Sequence, residues 1–300
     1  MHASAGAHSF DLAAELASIR PAPTIHALPG AWKSVLERMM PLGVRDVQLS
    51  ATQPGYRPRE LDRSGRRDLL AGLRRHELAV AGLDAWIPAE HFVEPGHIDR
   101  AVHAMVQIIE LAGDLGRVPV SLALPAPRAN HDHAVNHDKH DKHDKHDKHR
   151  NHRNHGNQGH DDHDDDDYDK ANGDDLAQAT SILSATAERF GITLIDHALP
   201  RTERAGITFG VDTAAALSQS LDPAQLIVSN APAGVRLSDL NSAGMRGPIG
   251  VSGSGGRLDV TACLASMSVL TQSPALVIDC RQWIDPWTGL ERSLAALRPM

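Results

Sequence analysis

Residues 234–286 read GVRLSDLNSAGMRGPIGVSGSGGRLDVTACLASMSVLTQSPALVIDCRQWIDP. A short apolar run ends at Asp239, a glycine-rich loop and an amphipathic segment follow, and a second apolar run ends at Asp279. That is the pattern of strand, loop, helix and strand, with an acid closing each strand. Parallel strands joined in this way need a crossover helix. In a closed parallel barrel the strand C-termini converge on one mouth, where the chemistry is placed.

The same unit recurs toward the N-terminus. Residues 1–20 read as an arm, and Thr24–Ala27 as a first strand among Pro21, Pro23 and Pro29. Ala31–Leu42 has helical spacing and ends at Gly43 in a cap position. Val44–Ser50 is a strand, Gly65–His76 a basic helix, and Leu78–Asp84 a buried strand ending in an acid. Apolar residues at 102, 105, 106, 109 and 112 predict a helix over Asp99–Leu115. Val118–Leu124 is the fourth strand. Beyond residue 170 a helix is expected over Asp174–Phe190, then strands at Ile192–His197, Ile207–Asp212, Val235–Asp239 and Ala275–Asp279. Helices are expected at Thr213–Ser220, Leu258–Leu270 and Trp287–Leu297. Eight strands alternating with helices predict an α/β fold, a (β/α)8 TIM barrel, with an open doubly wound sheet as the structural alternative. No G-x-G-x-x-G follows an early strand, and the glycines of 250–256 lack the P-loop lysine.

Composition sets the domain plan. Of 300 residues, 41% are hydrophobic and only 3% aromatic, so Leu, Ile, Val and Ala must fill the core. Residues 130–170 are dominated by His, Asp, Lys, Asn and Arg, with HDK repeated at 137–148. Such a segment cannot bury enough apolar surface to offset chain ordering and is expected to be disordered. Without it the chain approaches the roughly 250 residues of a (β/α)8 barrel. The barrel is thus divided into 21–129 (strands one to four) and 171–300 (strands five to eight), with 130–170 inserted between them. Eleven of the nineteen histidines fall within the insertion. It reads either as a Ni or Zn buffer, since imidazole and carboxylate suit those ions, or as a solvated expansion of a tolerant loop. The formal charge of −8 gives no reason to expect a nucleic-acid partner. Cys263 and Cys280 form neither a disulfide framework nor a zinc knuckle. The N-terminus lacks a basic n-region, and no run approaches the 18 apolar residues of a membrane span, so a cytoplasmic protein without a membrane partner is expected.

At the mouth of such a barrel stand Gln48, Asp84, Asp196, His197, Asp212, Asp239, Asp279 and Arg281. One acid at a strand end is often a helix N-cap, which suits Asp212 before TAAAL. Several acids on one rim repel one another unless a cation, arginine or proton offsets them. Arg236 and Arg281 are the internal counter-charges, and a divalent metal is the other solution. Trp86, Trp283 and Trp287 stand near strand ends as candidate walls of a sugar pocket or as packing. The GSGG of 253–256 before Arg257 reads as a phosphate cradle or a flexible loop. His91 and His97 read as surface residues.

The segments LGVRDVQLSAT, LAVAGLDAWIPAEHF with HIDRAVHAMVQIIELAGDLG, and RLSDLNSAGMRGPIGVSGSGGRLDV with ALVIDCR resemble the sugar phosphate isomerase/epimerase family with the xylose isomerase-like TIM barrel. The resemblance covers nearly the whole chain outside the arm and the insertion. It lies in strand–helix rhythm and strand-end residues. It implies one divalent ion (Mn, Mg, Co or Zn) and two flanking acids that move a proton next to a carbonyl. Carried onto this sequence, it makes Asp196, Asp212 and Asp279 the metal ligands and Asp196, Asp279 and His197 the catalytic groups. Gln48, Asp84, Trp86, Arg236, Asp239 and Arg281 are then left to bind a small sugar or sugar phosphate. The pattern departs from the family where Asp stands for Glu, where Arg236 replaces the strand-seven histidine, and where Ala215 replaces the histidine after strand six. A shortened carboxylate spoils geometry sensitive to about 1 Å, and an arginine disfavours a metal. The alternative is therefore a catalytically degraded barrel whose insertion binds or buffers Ni or Zn. An apurinic endonuclease-like barrel is a weaker reading, because its many His and Glu ligands are missing outside the insertion.

Overall fold

Short runs of β-branched residues and leucine alternate with amphipathic helical runs, and in the computed structural model of the chain these runs pair as parallel strands around a ring. The structure describes residues 20–126, 164–250 and 256–298. Its strands are β1 (Ala22–Pro23), β2 (Asp46–Ser50), β3 (Ala79–Asp84), β4 (Val120–Leu122), β5 (Leu194–Asp196), β6 (Ile207–Asp212), β7 (Gly234–Leu237), β8 (Asp239–Leu240), β9 (Arg246–Gly247) and β10 (Ala275–Ile278). Its helices are α1 (Trp32–Met39), α2 (Arg63–Arg75), α3 (Ile98–Asp114), α4 (Asp164–Phe190), α5 (Thr213–Ser218), α6 (Pro223–Asn230), α7 (Val260–Ser268) and α8 (Pro286–Ala296). The sheet order is β1-β10-β7-β6-β5-β4-β3-β2, and a parallel bridge from Thr24 to Gln48 joins its two ends. Apart from the antiparallel β8/β9 hairpin, spatial order follows chain order around the ring. An open doubly wound sheet reverses its order at a switch point, so the barrel is the correct alternative.

The seam lies where the sequence pattern is poorest. Ala22 and Pro23 pair with Val277 and Ile278, while Ile25–Ala27 forms a 3-10 turn, so the first strand sits upstream of the expected Thr24–Ala27. Prolines cannot donate to a ladder, and Thr24 compensates. Its N–H donates to Ile278 O at 3.0 Å, and its hydroxyl accepts from Cys280 N at 2.9 Å. The helix expected over Thr213–Ser220 ends at Ser218, since Ser220 turns left-handed at φ 59°, and a further helix that the sequence reading lacked, α6, starts with Pro223 in its first turn. Strand seven ends at Leu237, and Asp239 belongs to the hairpin rather than to the barrel. Helix α4 begins at Asp164, ten residues before the expected start. The His/Asp-rich stretch lies outside the described residues as far as residue 163.

Helix placement follows familiar end chemistry. Aspartates at 62, 212, 222, 259 and 285 each accept a hydrogen bond from a first-turn N–H, a cap contributing about 1 kcal/mol. Gly43 closes the turn after α1 with φ 76°. On α3 the residues Met105, Ile108, Ile109 and Ala112 are buried at the helical spacing, each large one stabilising by about 1.5–3 kcal/mol. No helix among the described residues is long and apolar enough to cross a membrane.

Candidate active site

Each strand delivers its last residues to one rim, and there acids and arginines alternate in a single chain of contacts. Arg236 donates through Nη2 to Asp84 Oδ1, and Asp84 Oδ2 accepts from Arg281 Nη1 at 3.0 Å. Arg281 grips both oxygens of Asp279 through Nε and Nη2, each at 2.6 Å. Asp279 Oδ2 also accepts from Arg246 Nη1 at 3.0 Å, and Arg246 Nη2 reaches Asp212 Oδ2 at 2.6 Å. Asp84, Asp212, Asp279, Arg236 and Arg281 are buried. Charges out of water persist only when paired and hydrogen-bonded, and forked guanidinium–carboxylate contacts do this best. Burial pushes the Asp279 carboxyl up. The hydrogen bonds and charge of Arg281, with Arg236 and Arg246 behind them, outweigh that and hold it at about 2. Burial also opposes the Arg281 charge, but Asp84 and Asp279 raise its pKa above the ordinary value.

A neutral arc runs over the ends of β2, β4 and β5, on either side of Asp84 on β3. Gln48 Nε2 lies 3.5 Å from Ser121 Oγ, which lies 3.3 Å from His197 Nε2. His197 rests on Gly210, where an added Cβ would stand 2.5 Å from its Cε1 and 2.6 Å from its Nδ1. Only glycine admits the ring there. Burial, followed by the charges of Arg236 and Arg281, holds the imidazole well below its ordinary 6.5, so it is neutral. Gln48 Oε1, His197 Nδ1 and, on the neighbouring ladder, Arg236 Nε are buried without a hydrogen-bond partner.

No protein-family model and no curated protein matches the chain in sequence. Solved structures match it closely in shape. A D-tagatose 3-epimerase-like protein superposes with TM-score 0.61 at 11% identity, over 93% of this chain and 98% of its own. An L-ribulose 3-epimerase gives TM-score 0.60 at 16% identity, covering 92% of each chain. A xylose isomerase domain protein from Planctomyces limnophilus gives 0.58 at 13% identity, over 92% of this chain and 95% of its own. The chain shares the (β/α)8 barrel fold of these structures.

In this barrel the acids that the sequence assigns to a metal have other partners. Asp212 and Asp279 share Arg246, and Asp279 is held again by Arg281. Asp212 Oδ1 caps α5 by accepting from Ala215 N at 3.0 Å. Asp196 sits in a separate cluster, accepting from Leu124 N at 3.1 Å, Ala198 N at 3.0 Å and Arg204 Nη1 at 2.6 Å. Burial raises its carboxyl pKa despite those bonds. As arranged, these donors do not fit a divalent ion, because guanidiniums already supply the positive charge and fill the oxygen lone pairs.

The remaining sequence candidates divide. Asp239 Oδ1 accepts from Leu240, Arg257 and Leu258 N–H groups at 2.7, 2.8 and 2.9 Å, so it fastens the ends of the long loop. Trp86 is 52% exposed, with the Arg281 guanidinium carbon 5.3 Å from its ring centre and His26 stacked at 5.6 Å. Trp283 and Trp287 are buried and donate to Ser238 Oγ and Pro29 O, so they pack rather than line a pocket. Burial pushes the Cys263 thiol up to about 12, and the Cys280 thiol also rises, which leaves both inert. Most of the 253–256 loop lies outside the described residues. The sequence reading missed Arg246, Arg204, Ser121 and His26. A signal for the arginines was present, since five strand-end acids outnumber the two counter-charges it named.

Proposed function

We propose that the barrel mouth binds a small sugar or sugar phosphate and moves a proton next to its carbonyl, as an isomerase or epimerase without a metal at the mouth. The observation that carries this reading is the set of unpaired buried atoms, Gln48 Oε1, His197 Nδ1 and Arg236 Nε. Native proteins pair nearly all such groups. A polyhydroxylated carbonyl compound offers the alternating donors and acceptors that complete them. The shared fold supports the same substrate class, since an L-ribulose 3-epimerase and a D-tagatose 3-epimerase-like protein have this shape.

The roles follow from the electrostatics. Both oxygens of Asp279 are engaged by guanidiniums, so it anchors Arg246 and Arg281 and has no free lone pair directed at a substrate. His197 is neutral and free of any guanidinium contact, and it serves as the proton carrier. Its lone pair takes the proton from the carbon beside the carbonyl. The C–H electrons form the C=C bond of an enediolate whose negative charge falls on the former carbonyl oxygen; His197 returns the proton to the neighbouring carbon while the hydroxyl proton passes to that oxygen, which gives the isomer. Arg236 stabilises the oxygen as its negative charge develops, a preorganised donor acting in a water-poor site. Asp196, with its raised carboxyl and its contact to Arg204, positions the β5 end.

The test is incorporation of deuterium from heavy water into a panel of ketoses, aldoses and their phosphates, with chelator present. Exchange that survives the chelator and falls by about 10²-fold in His197→Gln is the expected result. Exchange that needs added Mn, Co or Zn and vanishes in Asp212→Ala means that a metal displaces Arg246, and the metal-free part of the reading fails. The saturation of Asp84, Asp212 and Asp279 by arginine favours a second reading, a barrel that binds sugar without turning it over while the His-rich stretch holds Ni or Zn. Sugar binding without exchange across the whole panel selects it.

A further inference from the structure

The connection between β3 and α3 carries a second group of chemistry-bearing residues, away from the arginine–aspartate chain. In the stretch His91-Phe92-Val93-Glu94-Pro95-Gly96-His97 one ligand atom each from His91, Glu94 and His97 lies within 4.8 Å of the others. The backbone holds them in place. His91 N donates to Pro88 O at 3.1 Å, His97 N to Glu94 O at 2.8 Å and Ile98 N to Glu94 O at 3.0 Å. Phe92 between them is fully buried and anchors the segment to the core. The rings of His91 and His97 meet edge to face at 4.5 Å, and His97 Nδ1 lies 2.5 Å from Glu94 Oε2.

We propose that His91, Glu94 and His97 form a binding site for a divalent ion of zinc type on the rim of the barrel. Two imidazoles and a carboxylate are ligands that zinc accepts, with a fourth tetrahedral position open to water. Bond lengths of about 2.0–2.2 Å place tetrahedral ligand atoms about 3.4 Å apart. The present separations, all within 4.8 Å, close to that by side-chain rotation, since the three side chains are at least partly exposed. Glu90 and Asp99 add negative charge to the same stretch, and no lysine or arginine stands between residues 87 and 99. The ion ties the start of α3 to the turn before it and fixes the β3–α3 connection, which begins at Asp84 and Trp86 of the mouth.

The histidines of 131–163 are candidate metal ligands of their own, so total metal content is the wrong measurement. A comparison of full-length chains removes that contribution, because it is common to all of them. In the wild-type chain the melting temperature is expected to climb by about 3 °C for each tenfold rise in free zinc above the dissociation constant. In His91→Ala/His97→Ala that dependence is lost, while the metal-free melting temperature stays that of wild type. Glu94→Gln moves the onset to about tenfold higher zinc. Crystals of the full chain soaked in zinc should show an anomalous peak between the two imidazoles. An equal zinc dependence in wild type and the double-alanine chain, or no peak at this segment, overturns the proposal.

Discussion

The two sides of the barrel mouth are built from the same strand ends, yet they solve burial in opposite ways. On one side Arg236, Asp84, Arg281, Asp279, Arg246 and Asp212 leave each carboxylate oxygen that faces the rim engaged by a guanidinium. On the other, Gln48, Ser121 and His197 touch one another at 3.3–3.5 Å and leave polar atoms unpaired. The cost of an unpaired group explains the difference. A buried charge without a partner costs several kcal/mol, whereas an unpaired neutral amide or imidazole costs about 1–3 kcal/mol. Neutral groups wait for a ligand at lower cost, and on the charged side Arg236 waits only through Nε. The charged side is a frame, and the neutral side is where the chemistry is placed.

The largest expected effect comes from breaking the frame. Asp279→Ala removes the acid that holds both Arg246 and Arg281, and it should lower the unfolding free energy by about 3–5 kcal/mol, read as a reduced urea midpoint. A loss below about 1 kcal/mol would show that the two arginines find water or other acids, and the contrast between the two sides would collapse. Next comes the seat of the histidine. Gly210→Ala puts a methyl group 2.5 Å from His197 Cε1 and 2.7 Å from Ile195 Cγ2, which should cost about 1–3 kcal/mol as overpacking and displace the imidazole. Deuterium exchange should fall with it, even though residue 210 touches no substrate in the proposed reaction.

Much of this was legible in the sequence, and what was not has a physical cause. Ile207–Asp212 emerges with the bounds expected of it, because an apolar run followed by an N-capping acid marks both the strand and the helix after it. Ala22–Pro23 was hidden, because two residues carry no periodicity and proline argues against a strand. Arg246 acts 33 and 34 residues from its partners, and Arg204 sits in a loop beside Asp196. No spacing rule predicts either contact, and only the excess of strand-end acids pointed to them. The acids require a cation, and at Asp212 and Asp279 the structure supplies one as arginine.

A smaller effect separates the two sides by pH. Burial, with Arg236 and Arg281 behind it, holds His197 well below 6.5, and burial lowers His26 as well. The unfolded chain therefore takes up these protons more readily. The stability they contribute is present above pH 6.5 and is lost as pH falls below it, at no more than about 1.4 kcal/mol per pH unit for each group. The Asp279 contribution behaves separately, being lost only below pH 3.8, toward its folded value of about 2. Urea midpoints followed from neutral to mildly acidic pH should fall in the wild-type chain and fall less in His197→Gln. Equal slopes in the two chains would mean that His197 titrates freely in the fold.

The smallest effect on stability is expected at Gln48, and its smallness is the point. Gln48 Oε1 has no partner and Nε2 reaches Ser121 Oγ only at 3.5 Å, so the folded chain gains little from either atom. Replacing an unsatisfied buried amide with an apolar group of similar size is close to neutral. Gln48→Leu should thus change the urea midpoint by less than about 1 kcal/mol, or raise it. Affinity for the sugar should drop by about five- to tenfold, the loss of one hydrogen bond. A residue that holds the fold and a residue that holds a ligand are told apart by which of these two measurements moves. Asp279→Ala should move the first far more than Gln48→Leu does, and Gln48→Leu should move the second alone.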